Sequence, residues 1–315
     1  MKGKRKKRIV VIGGGTGTYT VLSGLKGHDV ELSAVVSMAD DGGSTRILRE
    51  EFGILPPGSV RPAMVALSEA EKSLADLFNF RFENGSGLSG HNFGNLFITA
   101  LTKHLGSFEK AVEEAGRILH IKGRVIPSTL GYCTLMAELE NGKVVRGEHA
   151  IDVPLHDGNL RIRKIWLERP CKANPKAKEA ILKADLVVIG PGDLFSSVLP
   201  NLLLYGIRDA VQTTKARKAY VCNIMTKFGE TAGFTASGFV SVMEQYLGDG
   251  VLDYVICNTK KPSLQRIAKY EKTNSEFVKC DLAGAKFRVI AKPLVRSQGF
   301  IRHDPTALAN VILSL

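Results

Sequence analysis

The sequence predicts an α/β protein built on a parallel sheet with helices on both faces. Three observations predict it. Short apolar runs alternate with helical stretches along most of the 315 residues. Twice a glycine-rich loop stands between a strand-like run and a helix-like run. The composition, 44% hydrophobic and 23% charged, is that of a globular chain with a sizeable core.

The elements follow in order. Residues 9–12 read as a buried strand, 16–26 as a helix and 31–37 as a second strand. Residues 63–79 place Met64, Leu67, Ala70, Leu74, Leu77 and Phe78 at helical spacing, which predicts one helix there. Two more are expected over 93–105 and 107–119, the second capped by Ser107. Residues 124–168 alternate polar and apolar positions around Asn141-Gly142 and Asp157-Gly158-Asn159, which predicts an antiparallel β insertion. Parallel strands are expected again at 185–189, 219–223, 253–257 and 287–291. The expected organisation is a basic disordered tail over 1–8 and a single domain over 9–315.

Composition narrows the function classes. No apolar run reaches the roughly 18 residues of a membrane helix, so no membrane insertion is expected. The run at 9–12 is too short for a signal-peptide core, and the protein is expected to be unexported and cytoplasmic. Cys133, Cys171, Cys222, Cys257 and Cys280 are scattered, with no CxxC pair, and read as reduced thiols. The net charge is +12, and six basic residues lie within the first eight. A solvated tail accounts for that run, so no specific nucleic-acid partner is expected.

Seven strings carry chemistry. Gly13-Gly14-Gly15-Thr16-Gly17-Thr18 lies between a strand and a helix, where glycines admit a phosphate to the amides at the helix start. Its spelling departs from the dinucleotide fingerprint and from the Walker loop, so NAD is not expected. Asp40-Asp41-Gly42-Gly43 follows the second strand. It reads as a polar turn, or as carboxylates that hold Mg²⁺ or take a proton. Arg61, in a proline-rich loop, is a phosphate contact or a surface arginine. His91-Asn92, with Asn95 beyond it, opens a helix as cap or ligand contact. Gly190-Pro191-Gly192-Asp193, with Ser196 and Ser197, repeats the strand, loop, helix logic. Residues 223–231 and Arg302-His303-Asp304-Pro305 complete the set, with Arg302 a candidate diphosphate clamp and Asp304 an N-cap.

In this order the strings resemble the gluconeogenesis factor family, a sister group of 2-phospho-L-lactate transferase. The match runs from about residue 8 to 312. The resemblance implies a Rossmann-like three-layer sheet and a nucleotide-derived ligand. In the transferase branch that ligand is a guanosine diphosphate ester of lactate, with Mg²⁺. The gluconeogenesis-factor branch implies UDP-sugar binding, as of UDP-N-acetylglucosamine, with roles in cell shape and gluconeogenic growth. Gly14, Gly15, Thr16 and Gly17 match the phosphate loop. Asp40 and Asp41 match the acidic loop, as catalytic and metal-holding candidates. His91, Asn92 and Asn95 match a ligand-facing turn, and Gly192 and Asp193 the second loop. Tyr270 and Arg302 fall near sugar-nucleotide contacts. A homo-oligomer is compatible with this reading. Arg46 and Ile47 stand where the family has glycine and arginine, and Ser59 and Pro62 where it has aspartate and asparagine. These departures change the charge around the loops.

Overall fold

The computed structural model describes residues 5–85, 87–283 and 286–315. Seven strands form one parallel sheet: β1 (Lys7–Gly13), β2 (Val30–Val36), β3 (Arg124–Pro127), β7 (Leu186–Ile189), β8 (Arg217–Val221), β9 (Tyr254–Asn258) and β10 (Arg288–Lys292). Their order is β10-β9-β8-β7-β1-β2-β3. Chain direction across the sheet therefore reverses between β1 and β7. At such a point neighbouring loops diverge and leave a crevice beyond the carboxyl ends of the strands.

The helices are α1 (Gly15–Leu25), α2 (Gly43–Phe52), α3 (Pro57–Leu67), α4 (Lys72–Asn79), α5 (Phe93–Leu105), α6 (Phe108–Ile118), α7 (Glu148–Asp152), α8 (Pro175–Leu182), α9 (Leu199–Leu202), α10 (Ile207–Thr213), α11 (Ala236–Leu247), α12 (Leu264–Glu271) and α13 (Pro305–Leu313). They cover both faces of the sheet. Successive strand residues face opposite sides, so β1 feeds two cores. Ile9 and Val11 join a layer with Leu22, Met64 and Leu308. Val10 and Ile12 join one with Phe195, Phe239 and Met243.

The α/β class, the parallel sheet and the antiparallel insertion are present as expected. The insertion is a sheet of β4 (Leu135–Leu139), β5 (Val144–Arg146) and β6 (Ile162–Leu167), ordered β5-β4-β6. Asn141-Gly142 turns β4 into β5. The insertion begins later than residue 124, because Arg124–Pro127 pairs in parallel with β2 as the last strand of the main sheet. Pro127 is tolerated there because an edge strand needs fewer ladder donors.

Two further expectations are corrected. The helix predicted over 63–79 is broken, with α3 ending at Leu67 and α4 starting at Lys72. Between them the Glu69 amide donates to His120 O, and Ser68 Oγ donates to Leu119 O. Tertiary hydrogen bonds thus take over where helical periodicity alone continues. At the amino end, the basic run is partly ordered. Lys7 and Arg8 lie in β1, and Arg5 pairs with Asp185 at 2.6 Å. Residues 1–4 lie outside the described residues.

Candidate functional site

The crevice at the β1/β7 reversal is a cleft of about 580 Å³, within the size range of small-ligand sites. Gly14 to Gly17 form one wall and Pro191 to Asp193 the other. Residues 223–228 follow β8 along the rim, and Tyr270, Arg302 and His303 close the far side. The two glycine loops touch. A Cβ on Gly17 would lie 2.0 Å from Pro191 O, so only glycine lets the loops meet here.

The walls differ chemically. At the start of α1, Gly14 is the N-cap residue and no side chain caps the helix. The first-turn amides of Gly15, Thr16 and Gly17 lack intrahelical acceptors, and the helix adds its positive dipole end. The second loop looks similar in sequence, but its amides are already used. Gly192 N donates to Asn223 Oδ1 at 3.2 Å, while Asn223 Nδ2 donates to Gly192 O at 2.9 Å. Glu230 Oε2 accepts from Phe195 N at 2.8 Å and Ser196 N at 3.2 Å, and Oε1 accepts from Ser196 Oγ at 2.7 Å. A carboxyl group of the protein therefore occupies the position an anion would take at the second loop. The anion-binding capacity is concentrated at α1.

Lys227 stands at the rim. Its Nζ lies 3.0 Å from Asp152 Oδ1 and 3.9 Å from Asp193 Oδ2. Burial opposes its charge, but the carboxylates of Asp193 and Asp152 hold its pKa above the ordinary lysine value. Asp193 is pushed up by burial against the pull of Lys227. Burial pushes Glu230 up to about 8, with Asp193 adding to the effect. One carboxylate oxygen from each of Asp152, Asp193 and Glu230 falls within 4.8 Å of the others. Hard oxygen donors of this kind suit a divalent cation. Lys227 supplies the positive charge among them, and a metal would have to displace it.

Across the cleft, the Tyr270 hydroxyl accepts from Ile301 N at 2.9 Å, which fixes the ring beside Arg302. Arg302 is exposed, its guanidinium 5.1 Å from the Phe300 ring. Burial of part of the group and nearby Arg296 pull its pKa down from the arginine value. His303 is buried, and burial pulls it down to about 4, so its ring is neutral. Its Nε2 has no hydrogen-bond partner among the described residues.

The cleft thus brings together Gly14, Gly15, Thr16, Gly17, Gly192, Asp193, Tyr270 and Arg302 from the sequence-based set. It does not include Asp40, Asp41, His91, Asn92 or Asn95. The strand order gives the reason. β2 lies on the far side of β1 from β7, so its loop turns toward α3, α5 and α7. Asp41 Oδ1 accepts from His149 N at 2.8 Å and Oδ2 from Glu148 N at 3.3 Å, which caps α7. Asp40 accepts from Gly42 N at 3.0 Å, and burial raises its pKa. A Cβ on Gly58 would meet Thr45 Oγ1, Asp40 Oδ2 and Asn95 Nδ2 within 3.4 Å, so these groups converge in a second polar cluster. Asn92 Oδ1 caps α5 through Asn95 N, and Asn95 Oδ1 accepts from Arg61 Nε at 3.1 Å. His91 is buried beside them.

Glu148 links the two regions. Burial pushes it up to about 9, reinforced by Asp40, Asp152, Asp41 and Glu230. Sequence reasoning missed Glu148, Asp152, Lys227, Glu230 and His303 as individual residues. Lys227, Glu230 and His303 sat inside strings already singled out. Asp152 and Glu148 sit in the β insertion, where no local signal marks them.

Comparison with known proteins decides the family. The profile of the family described as 2-phospho-L-lactate transferase CofD matches residues 9–295. The chain belongs to the CofD family. Its full-length relatives include proteins named gluconeogenesis factor. That of Halalkalibacterium halodurans is 41% identical over 98% of this chain and 96% of its own length. That of Bacillus subtilis is 38% identical over 99% of this chain and 98% of its own. A crystal structure of a Bacillus halodurans protein superposes with a TM-score of 0.94 at 41% identity, covering 98% of this chain and all of that one.

Proposed function

We infer that this member of the CofD family is a gluconeogenesis factor that binds the diphosphate of a nucleotide sugar in the β1/β7 cleft. UDP-N-acetylglucosamine represents the ligand class. The single observation that carries the reading is the uncapped start of α1, facing a cleft that also holds Lys227 and Arg302. Diphosphate oxygens would take the Gly15 to Gly17 amides, with Arg302 offsetting their charge. Tyr270 and His303 would then bear on the nucleoside or sugar. In this reading the protein is a cytoplasmic regulator of cell shape and gluconeogenic growth.

Titration calorimetry against UDP-N-acetylglucosamine tests it, with GDP and NADH alongside. Saturable heat with the UDP-sugar, lost in Arg302→Ala, supports the reading. No heat with any uridine or guanosine diphosphate would end it.

The oxygen donors of Asp152, Asp193 and Glu230 favour a second reading, a Mg²⁺-dependent transferase of the 2-phospho-L-lactate type. A metal held there would offset the charge that develops on the departing nucleoside monophosphate as the diphosphate bridge breaks. Asp41 would serve the same chemistry only if its loop moved, since both its oxygens accept backbone amides, whereas Asp40 has one oxygen on Gly42 N and keeps the other free of backbone amides. Release of a nucleoside monophosphate from a diphosphate ester, dependent on Mg²⁺ and lost in Asp193→Asn, would favour this reading over the first.

A further inference from the structure

Beside the cleft, a band of positive charge lies at one end of the sheet. Residues 259–279 and 292–302 together hold nine lysines and arginines against two glutamates. Lys260, Lys261, Lys269, Lys272, Lys279 and Lys292 are exposed. Among the described residues none of the nine forms an ion pair. Elsewhere the protein does pair its cations, as Lys176 does with Glu109 and Glu113.

Topology puts these residues on one side of the molecule. All strands of the sheet are parallel, so the segments that leave β8, β9 and β10 leave at the same end. Lys260 and Lys261 follow β9, and residues 293–302 follow β10. A bridge between Met225 and Phe277 ties 275–279 to the segment after β8. Arg266 of α12 donates to the carbonyls of Arg296, Ser297, Gly299 and Phe300, which locks α12 to that loop. The basic run at residues 5–8 enters β1 at the opposite end.

Three large apolar side chains stand out in water at this same end. Leu264 opens α12 and is 77% exposed, Phe300 is 65% exposed, and Leu155 is 99% exposed. Leu155 belongs here because its neighbours are fastened to the segment after β8. Pro154 lies against Gly229, and Gly229 N donates to Gly158 O.

We propose that this end of the protein docks on an anionic lipid bilayer. The six exposed lysines face the headgroups, and Leu155, Leu264 and Phe300 seat at the boundary with the acyl chains. Charge and apolar tips together are what a bilayer surface rewards. A nucleic acid would use the cations but would leave Leu155, Leu264 and Phe300 in water. The docking needs no spanning helix, and no helix among the described residues is long and apolar enough to be one. Arg302, which lines the cleft, lies 5.1 Å from the Phe300 ring, so the docked face adjoins the cleft.

Co-sedimentation of the full chain with vesicles tests this. The vesicles are phosphatidylcholine alone or with about 30% phosphatidylglycerol, with and without about 0.5 M salt. Binding to the anionic vesicles only, abolished by salt, is expected. The double variant Lys260→Glu/Lys261→Glu weakens it at least about tenfold. Leu155→Ser/Leu264→Ser, which changes no charge, weakens it about fivefold. Lys2→Ser/Lys4→Ser leaves it in place. Equal binding to neutral vesicles, or loss of binding in the Lys2/Lys4 variant, would overturn the proposal. So would leucine substitutions without effect, and competition by poly(U) would then identify the surface as a general polyanion patch.

Discussion

Gly17 and Pro191 meet so closely that a single methyl group cannot fit between them. A Cβ on Gly17 would lie 2.0 Å from Pro191 O and 2.4 Å from its carbonyl carbon. The contact joins the loop after β1 to the loop after β7, and so sets the shape of the cleft. Both partners are backbone, which has no rotamer to yield.

Gly17→Ala is therefore expected to cost about 3 kcal/mol, as overpacking against fixed atoms does, and to weaken nucleotide binding as the loops part. Gly15→Ala is the control. Gly15 has φ +60° and open space around its Cβ position, so only backbone strain of about 1 kcal/mol is expected. Thermal melts of the two variants, with and without ligand, check the difference. Equal losses would mean that the loop contact is not the constraint.

Arg302→Ala is expected to weaken a diphosphate ligand by about 10- to 100-fold, the range of one charge-assisted hydrogen-bonded contact. Stability should barely move, since Arg302 is exposed. Calorimetry beside a melting curve reads both quantities. Unchanged affinity would remove Arg302 from the site.

Asp41→Asn is expected to lower stability by about 1 kcal/mol through the weakened cap on α7, while ligand affinity stays within about twofold. Chemical denaturation gives the first number and calorimetry the second. A tenfold loss of affinity without loss of stability would return Asp41 to the binding site.

Stability should fall as pH rises from 7 to 9. Glu148 and Glu230 are pushed up to about 9 and about 8, so both keep their protons when folded at neutral pH and lose them on unfolding. The folded state binds more protons, and each group contributes a slope approaching −1.4 kcal/mol per pH unit below its folded pKa. His303, pulled down to about 4, acts oppositely and only below about pH 6.5, where the unfolded imidazole takes a proton. Melting temperatures at pH 7, 8 and 9 should decline, and Glu148→Gln should flatten the decline. A flat wild-type profile would show that neither carboxyl is held protonated.

Six strands of the main sheet were legible because each is a short apolar run bounded by turns or glycines, as at residues 9–12 and 253–257, while β3 reads as part of the insertion. Residues 93–105 read as a helix to the residue, since Asn92 caps one end and Gly106 closes the other in the left-handed region. The break at Ser68 was not legible, because its cause is a pair of hydrogen bonds that Ser68 and Glu69 donate to the carbonyls just after α6, about fifty residues away. The same limit applied to the site. The phosphate loop could be read from its glycines. That the amides of the second loop are already occupied depends on Asn223 and Glu230 folding back onto it, which no local spelling announces. The place of Asp40 and Asp41 was hidden for a related reason. Adjacent acids beside glycines look like ligands, but they do not line this cleft, since β2 stands on the far side of β1 from β7.

The most direct test is a crystal structure of the protein with UDP-N-acetylglucosamine. Diphosphate oxygens within hydrogen-bonding distance of the Gly15 to Gly17 amides, with Arg302 alongside, are what the account predicts. A diphosphate lodged at Asp40 and Asn95, or held by the Gly192 and Phe195 amides in place of Asn223 and Glu230, would contradict it.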